Sequence, residues 1–128
     1  MVGLATVAAW PGIAVLLLHS ILGAWLGHEP YVDPVMHFSG GGAAAYFFWR
    51  GGLIAARQIG TPTRLGLDLF ALGLTCMVAV FWEFAEYFVN VNFGSRMERG
   101  LGNSLRDLAI GVTGALTYIG VNRLRGRS

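Results

Sequence analysis

Charge is scarce in this chain, and one of the two common cations is missing altogether. Only 12% of its 128 residues are charged, against roughly 25% in a soluble domain. There is no lysine, so all nine basic residues are arginines. They stand mostly at the ends of apolar segments, where they read as topology signals and lipid-facing anchors and not as a nucleic-acid surface. A single cysteine, Cys76, excludes a disulfide framework and a cysteine-based zinc site. It lies in an apolar run and reads as a small buried residue. Neither an HExxH motif nor the Glu-x-x-His pair of di-iron bundles occurs. The chain has no low-complexity tail and no internal repeat, so it reads as one domain spanning residues 1–128.

What is abundant is hydrophobic residues, at 55%, and glycine, at 19 residues. Four apolar runs are long enough to cross a hydrocarbon core of about 30 Å, which takes roughly 20 helical residues. They cover about 4–26, 34–56, 65–89 and 104–121. The first has no basic leader and no small-x-small cleavage site, and its apolar stretch is too long for a signal peptide, so a retained helix is expected. The predicted fold class is an all-α membrane protein, four transmembrane helices in a bundle. Four crossings put both termini on one side, together with Arg50, Arg57, Arg64, Arg123, Arg125 and Arg127. The positive-inside rule makes that side cytoplasmic. The chain is then expected in the inner, or plasma, membrane.

Six of the seven acids fall on the opposite, periplasmic or extracellular, side: Glu29, Asp33, Glu83, Glu86, Glu98 and Asp107. His28 and His37 accompany them, and Asp68 alone lies on the arginine-rich side. Several of these groups sit inside hydrophobic segments, where an ionisable side chain costs roughly 2.5–3.5 kcal/mol unless it is paired. Such an outlay on three separate segments points to a polar site.

Boundary signals are local. Asp33-Pro34 is a helix start, an Asp N-cap followed by Pro at the first helical position. Thr61-Pro62-Thr63 restarts the chain into the third helix. Asn90 to Asn103 reads as an outer loop, with Asn103 or Ser104 capping the fourth helix. Gly40 to Ala45 on the second helix and Gly111, Gly114 and Ala115 on the fourth have small-xxx-small spacing, which predicts close contact between those two helices.

Periodicity places the acids on those same packing faces. Asp33, His37, Gly40 or Gly41 and Ala44 share one face, and so do Asn103, Asp107, Gly111 and Gly114. On the third helix Cys76, Ala79, Glu83, Glu86 and Asn90 form a stripe, while Phe81, Phe84 and Phe88 point elsewhere, toward lipid. His19, at the depth of Glu83, could join the layer, although with Ser20 it reads as a hydrogen-bonded core pair. The candidate metal ligands are His37, Glu83, Glu86 and Asp107, with Asp33 a weaker member. Glu83 and Glu86 are also the candidate catalytic carboxylates. Arg96, Arg99 and Arg106 could clamp an anion, or could simply balance the acids. Imidazole with carboxylates suits Zn or Mn, and carboxylates alone suit Mg or Ca. The competing reading is that these groups pair with one another and only fasten the helices.

The motifs, in this order, resemble the VanZ-like and YjdF-type families of small bacterial membrane proteins. Those families show an Asp-x-x-x-His-Phe helix start, here DPVMHF. An acid pair after an aromatic follows, here FWEFAEY, and a last helix opens with an Asn-or-Ser, Asp, Gly pattern, here NSLRDLAIGVTGA. The resemblance covers the last three helices, about two-thirds of the chain, and carries over Asp33, His37, Glu83, Glu86 and Asp107. The sequence departs by having Gly111 within Ala-Ile-Gly-Val where the VanZ-like group usually has Asn-Thr-Leu-Gly. Its outer loop is also shorter than the YjdF type. The resemblance implies a polytopic inner-membrane protein, some relatives being linked to glycopeptide resistance.

Three functions are compatible with these residues. A periplasm-facing acidic site could bind a divalent metal and serve a hydrolase or transferase acting on a phosphorylated lipid or envelope component. Glu83 and Glu86 could exchange protons or cations in a transporter, which with so little room per copy requires a homo-oligomer. Or the polar layer could be purely structural, in an accessory protein whose partner is the bilayer itself. No reading involves nucleic acid.

Overall fold

The computed structural model describes residues 9–15, 17–18, 21, 32–94 and 100–126. All of its elements are α-helices, and no strand occurs among the described residues. Residues 9–15, 17–18 and 21 are helical and belong to α1. Three long helices follow: α2 (Val32–Ile59), α3 (Arg64–Phe93) and α4 (Leu101–Arg125). Each extends beyond its expected bounds. Helical hydrogen bonding continues through the polar residues that hydropathy reads as loop, so the expected outer loop of 90–103 shrinks to the segment between Phe93 and Leu101.

Local chemistry explains the ends. Thr63 caps α3, its side-chain oxygen accepting from the Gly66 N–H at 3.0 Å. Gly94 ends the helix in the left-handed region at φ 65°, where a side chain would be strained, and its N–H returns to the Asn90 carbonyl. At α4 the expectation of an Asn103 or Ser104 cap is corrected. Gly100 takes the cap position without a side-chain hydrogen bond, and Asn103 points instead at Asp107. An amide side chain one turn before a buried carboxylate has a better acceptor there than the backbone offers.

The chain pairs α2 with α4 in parallel, and α3 runs antiparallel to both. Close approach of α2 and α4 rests on glycine. A methyl group on Gly41 would land on the Gly111 carbonyl, and one on Gly114 would land on the Phe38 carbonyl. Further along, Tyr46 and Tyr118 meet edge to face at 5.8 Å. Backbone contact of this kind is what holds helices together where solvent offers no hydrophobic drive. At the far end, Arg64 of α3 donates to the Asn122 carbonyl at 2.6 Å and reaches that of Gly126 at 3.5 Å. It thereby supplies a cation to the open carbonyls that end α4.

The surface is apolar. Phe81, Phe84 and Phe88 are 65%, 64% and 61% exposed, on the side of α3 away from its buried acids. Among the described residues, α3 is the helix long and apolar enough to cross a membrane by length and composition, with 22% of its most apolar window buried. The buried set is small and mixed: Ala45, Ala71 and Ala115 are fully enclosed, alongside Asp68, Thr75, Glu83, Glu86 and Asp107. An exterior greasier than the interior is the arrangement a lipid environment requires.

Candidate functional site

The buried acidic groups divide between the two ends of the bundle. At the end formed by the starts of α2 and α4 and the close of α3, Asp33, His37 and Asp107 come together. His37 Nε2 lies 3.5 Å from Asp33 Oδ1 and 3.9 Å from Asp107 Oδ2. One potential ligand atom from each residue lies within 4.8 Å of the others. Asp33 and His37 are brought together by helical i,i+4 spacing. Asp107 arrives from α4 because the Gly41–Gly111 contact one turn deeper fixes the register of the two helices.

Exposure is graded through the cluster. The side chain of Asp33 is 28% exposed, that of His37 13% and that of Asp107 1%. The Asn103 amide donates to Asp107 Oδ2 from one turn earlier on α4 and orients that carboxylate. Two oxygens and one nitrogen, from residues of opposite formal charge preference, form a donor set suited to a borderline divalent ion. Two ligand atoms each about 2.1 Å from a tetrahedral ion stand about 3.4 Å apart, close to the 3.5 and 3.9 Å from His37 to the two aspartates; the three atoms together lie within 4.8 Å, so a bound ion would draw them closer. Three protein ligands would leave a further coordination position open, as catalytic zinc sites do.

The acid pair of α3 separates. Glu83 is buried and lines the same half-open cavity as His37 and Asp107. Glu86 is buried too, but it accepts a hydrogen bond from Trp82 Nε1 on its own helix and lies outside the three-residue cluster. Of the candidate anion clamps, Arg106 is exposed beside Asp107, its neighbour on the helix pointing to a different side. Arg96 and Arg99 lie outside the described residues, as do Glu29, Glu98, His19 and His28.

A chamber of about 400 Å³ opens below the cluster, bounded by parts of all four helices. Among the described residues its polar lining is His37, Glu83 and Asp107 near the cluster, plus Thr75 and Trp82. Thr75 donates to the Ala71 carbonyl at 2.8 Å, and Trp82 donates to Glu86, so both donors are spent. The rest of the described wall is glycine, alanine and larger apolar side chains.

The opposite end of the bundle carries a second polar node, which sequence reasoning did not assemble. Asp68, 4% exposed, accepts from Trp49 Nε1 at 3.0 Å and from Arg123 Nε at 2.6 Å. One carboxylate thus joins α2, α3 and α4. The burial of Asp68 in an apolar stretch was the available signal, since a charge there needs a partner. Its partner is 55 positions away, and no spacing rule reaches that far.

No curated protein and no solved structure matches the chain. A family of proteins described as predicted membrane proteins does match, over residues 2–127. With its apolar exterior and buried carboxylates, the chain belongs to that family, DUF2238.

Proposed function

We propose that this is a four-helix transmembrane protein of the inner, or plasma, membrane, both termini cytoplasmic, which binds a divalent metal through Asp33, His37 and Asp107 near the outer end of its bundle. The observation that carries the reading is the approach of three ligand atoms from two helices to within 4.8 Å of one another. The register that brings them together is set by backbone contact rather than by flexible side chains. Orientation is supported by the division of charge: Arg50, Arg64, Arg123 and Arg125 stand at the end that holds Asp68, and the other described acids gather at the cluster end. Within DUF2238, the stretches DPVMHF, FWEFAEY and NSLRDLAIGVTGA support a place beside the VanZ-like and YjdF-type proteins.

The imidazole favours Zn or Mn over Mg. Elemental analysis of purified protein tests this, with about one equivalent of metal expected in the wild type and loss of it in Asp107→Asn. Metal-free protein whose thermal stability ignores both chelator and added zinc would reduce the cluster to an interhelical fastening.

A second reading is favoured by the position of Glu83, which shares the chamber with His37 and Asp107 but stands outside the ligand set. A carboxylate so placed can serve as general base for water activated by a bound metal, in hydrolysis or transfer on a phosphorylated lipid. Glu86, bonded to Trp82, would then orient the α3 end of the site instead of meeting substrate. This reading predicts that Glu83→Gln keeps the metal and loses turnover.

A further inference from the structure

The chamber beneath the cluster has a shape and lining that the metal does not account for. On α2 it is lined from Met36 to Phe48. At 1.5 Å per helical residue that is roughly 18 Å along the axis. The slot therefore runs along the helices, from the level of His37 toward the middle of the bundle. Its volume is about 400 Å³, and it is partly open along its side. One leaflet of a hydrocarbon core is about 15 Å deep, half of the 30 Å total. The slot matches a leaflet in length.

Its chemistry is graded in the same direction. His37, Glu83 and Asp107 lie at one end, and below them Thr75 and Trp82 have already committed their donors. A buried water needs two to four polar partners, and among the described residues the lower slot offers the Thr75 hydroxyl oxygen and no further polar side chain besides Trp82. The small residues Ala43, Ala44 and Ala79 line the passage where larger side chains would fill it. On α1, Gly12 borders the slot, and a methyl group added there would meet nothing within 4 Å. Pockets of this size, apolar with a few convergent polar groups at one end, are the usual form of small-ligand sites.

We infer that the slot receives one hydrocarbon chain of a membrane lipid, placing the lipid's polar head at Asp33, His37 and Asp107. The inference rests on the membrane orientation proposed above, and it does not depend on whether a metal is bound. A polar cluster level with the head groups and an apolar passage one leaflet deep reproduce the gradient of the lipid itself.

The test uses the full chain in liposomes of phosphatidylethanolamine and phosphatidylglycerol. The probe is phosphatidylethanolamine with a diazirine midway along one acyl chain, and adducts are mapped by mass spectrometry after irradiation. Lipid around the protein will label Phe81, Phe84 and Phe88 in any case. The inference expects additional adducts on the inward residues Ala43, Ala44, Thr75 or Ala79. It also expects these to fall at least fivefold in Gly12→Leu, with the Phe adducts unchanged. Ala44→Leu plugs the slot from α2 and should act alike. Adducts confined to the outer phenylalanines overturn the inference, as do interior adducts that persist in a plugged variant with wild-type unfolding temperature. If both plugged variants unfold, the wild-type pattern decides. Metal content of the same samples separates the two readings: interior adducts without metal sink the metal site alone, and metal without interior adducts sinks the lipid slot alone.

Discussion

Arg123 donates through Nε to Asp68 at 2.6 Å, joining the end of α4 to the start of α3 across 55 residues of sequence. The carboxylate is 4% exposed and the arginine 48%, so the acid bears most of the desolvation and the base remains near solvent or head groups. With Trp49 on the other oxygen, Asp68 is satisfied from two neighbouring helices at once. The bundle is thus tied by a carboxylate at each end, Asp107 at one and Asp68 at the other.

Removing the arginine should therefore be worse than neutralising the acid. Arg123→Ala leaves a buried carboxylate with Trp49 as its remaining mapped donor, at an expected loss of about 1–3 kcal/mol. Asp68→Asn keeps the shape and needs no cation, and should lose less. In the double variant the two losses should fail to add by about 0.5 kcal/mol or more. Thermal unfolding of the four proteins in one detergent measures all of this. Equal losses for the two single variants would mean that the pair contributes nothing specific.

Glycine substitutions should sort by what lies opposite. Gly41→Ala and Gly114→Ala drive a methyl into the Gly111 and Phe38 carbonyls, which are backbone and cannot turn aside. Each should cost about 1–3 kcal/mol through overpacking. At Gly73 and Gly120 an added methyl meets nothing within 4 Å. Alanine there should be neutral or stabilising by up to about 1 kcal/mol, because glycine is a poor helix former. Unfolding temperatures of the four variants would show the division, and a uniform response would contradict the α2–α4 contact.

Metal addition gives a prediction with a sign. Zinc that binds the folded state alone at about 100 times its dissociation constant should stabilise by about 2.7 kcal/mol. Chelator should reverse the rise in unfolding temperature. His37→Ala and Asp107→Asn should abolish the response, whereas Glu86→Gln should keep it, since Glu86 lies outside the three-residue cluster. A response lost in Glu86→Gln and kept in Asp107→Asn would move the ligand set onto α3.

The cap of α3 is a local test. Thr63→Ala removes the acceptor of the Gly66 N–H and should cost about 1 kcal/mol, with Thr63→Ser recovering most of it. Helical content by circular dichroism should change little, because the rest of the 30-residue helix is held by packing.

Much of the cluster could be read from periodicity. Asp33, His37 and Gly41 recur at four-residue steps, as do Asn103, Asp107 and Gly111, so each polar group falls on the face that also carries the small residues. Close approach of the second and fourth helices followed from the same pattern. Depth was harder to read. Glu83 and Glu86 share the acid layer by sequence, yet among the described residues Asp33 and Asp107 are the acids that bring a ligand atom within 4.8 Å of His37. One helical turn advances about 5.4 Å, more than the span of a ligand shell, so membership depends on register to within a turn.

The amino-acid order alone determined which segments become helices, which face of each is small and polar, and that an apolar exterior would surround buried acids. Those properties are local, fixed by 3.6-residue periodicity, proline and glycine positions, and the energetics of charge in hydrocarbon. The meeting of Asp107 with His37, the separation of Glu86 toward Trp82, and the pairing of Asp68 with Arg123 were decided only by tertiary structure. They depend on how far one helix slides along another, and that offset is set where the Gly41 and Gly114 backbones touch α4 and α2.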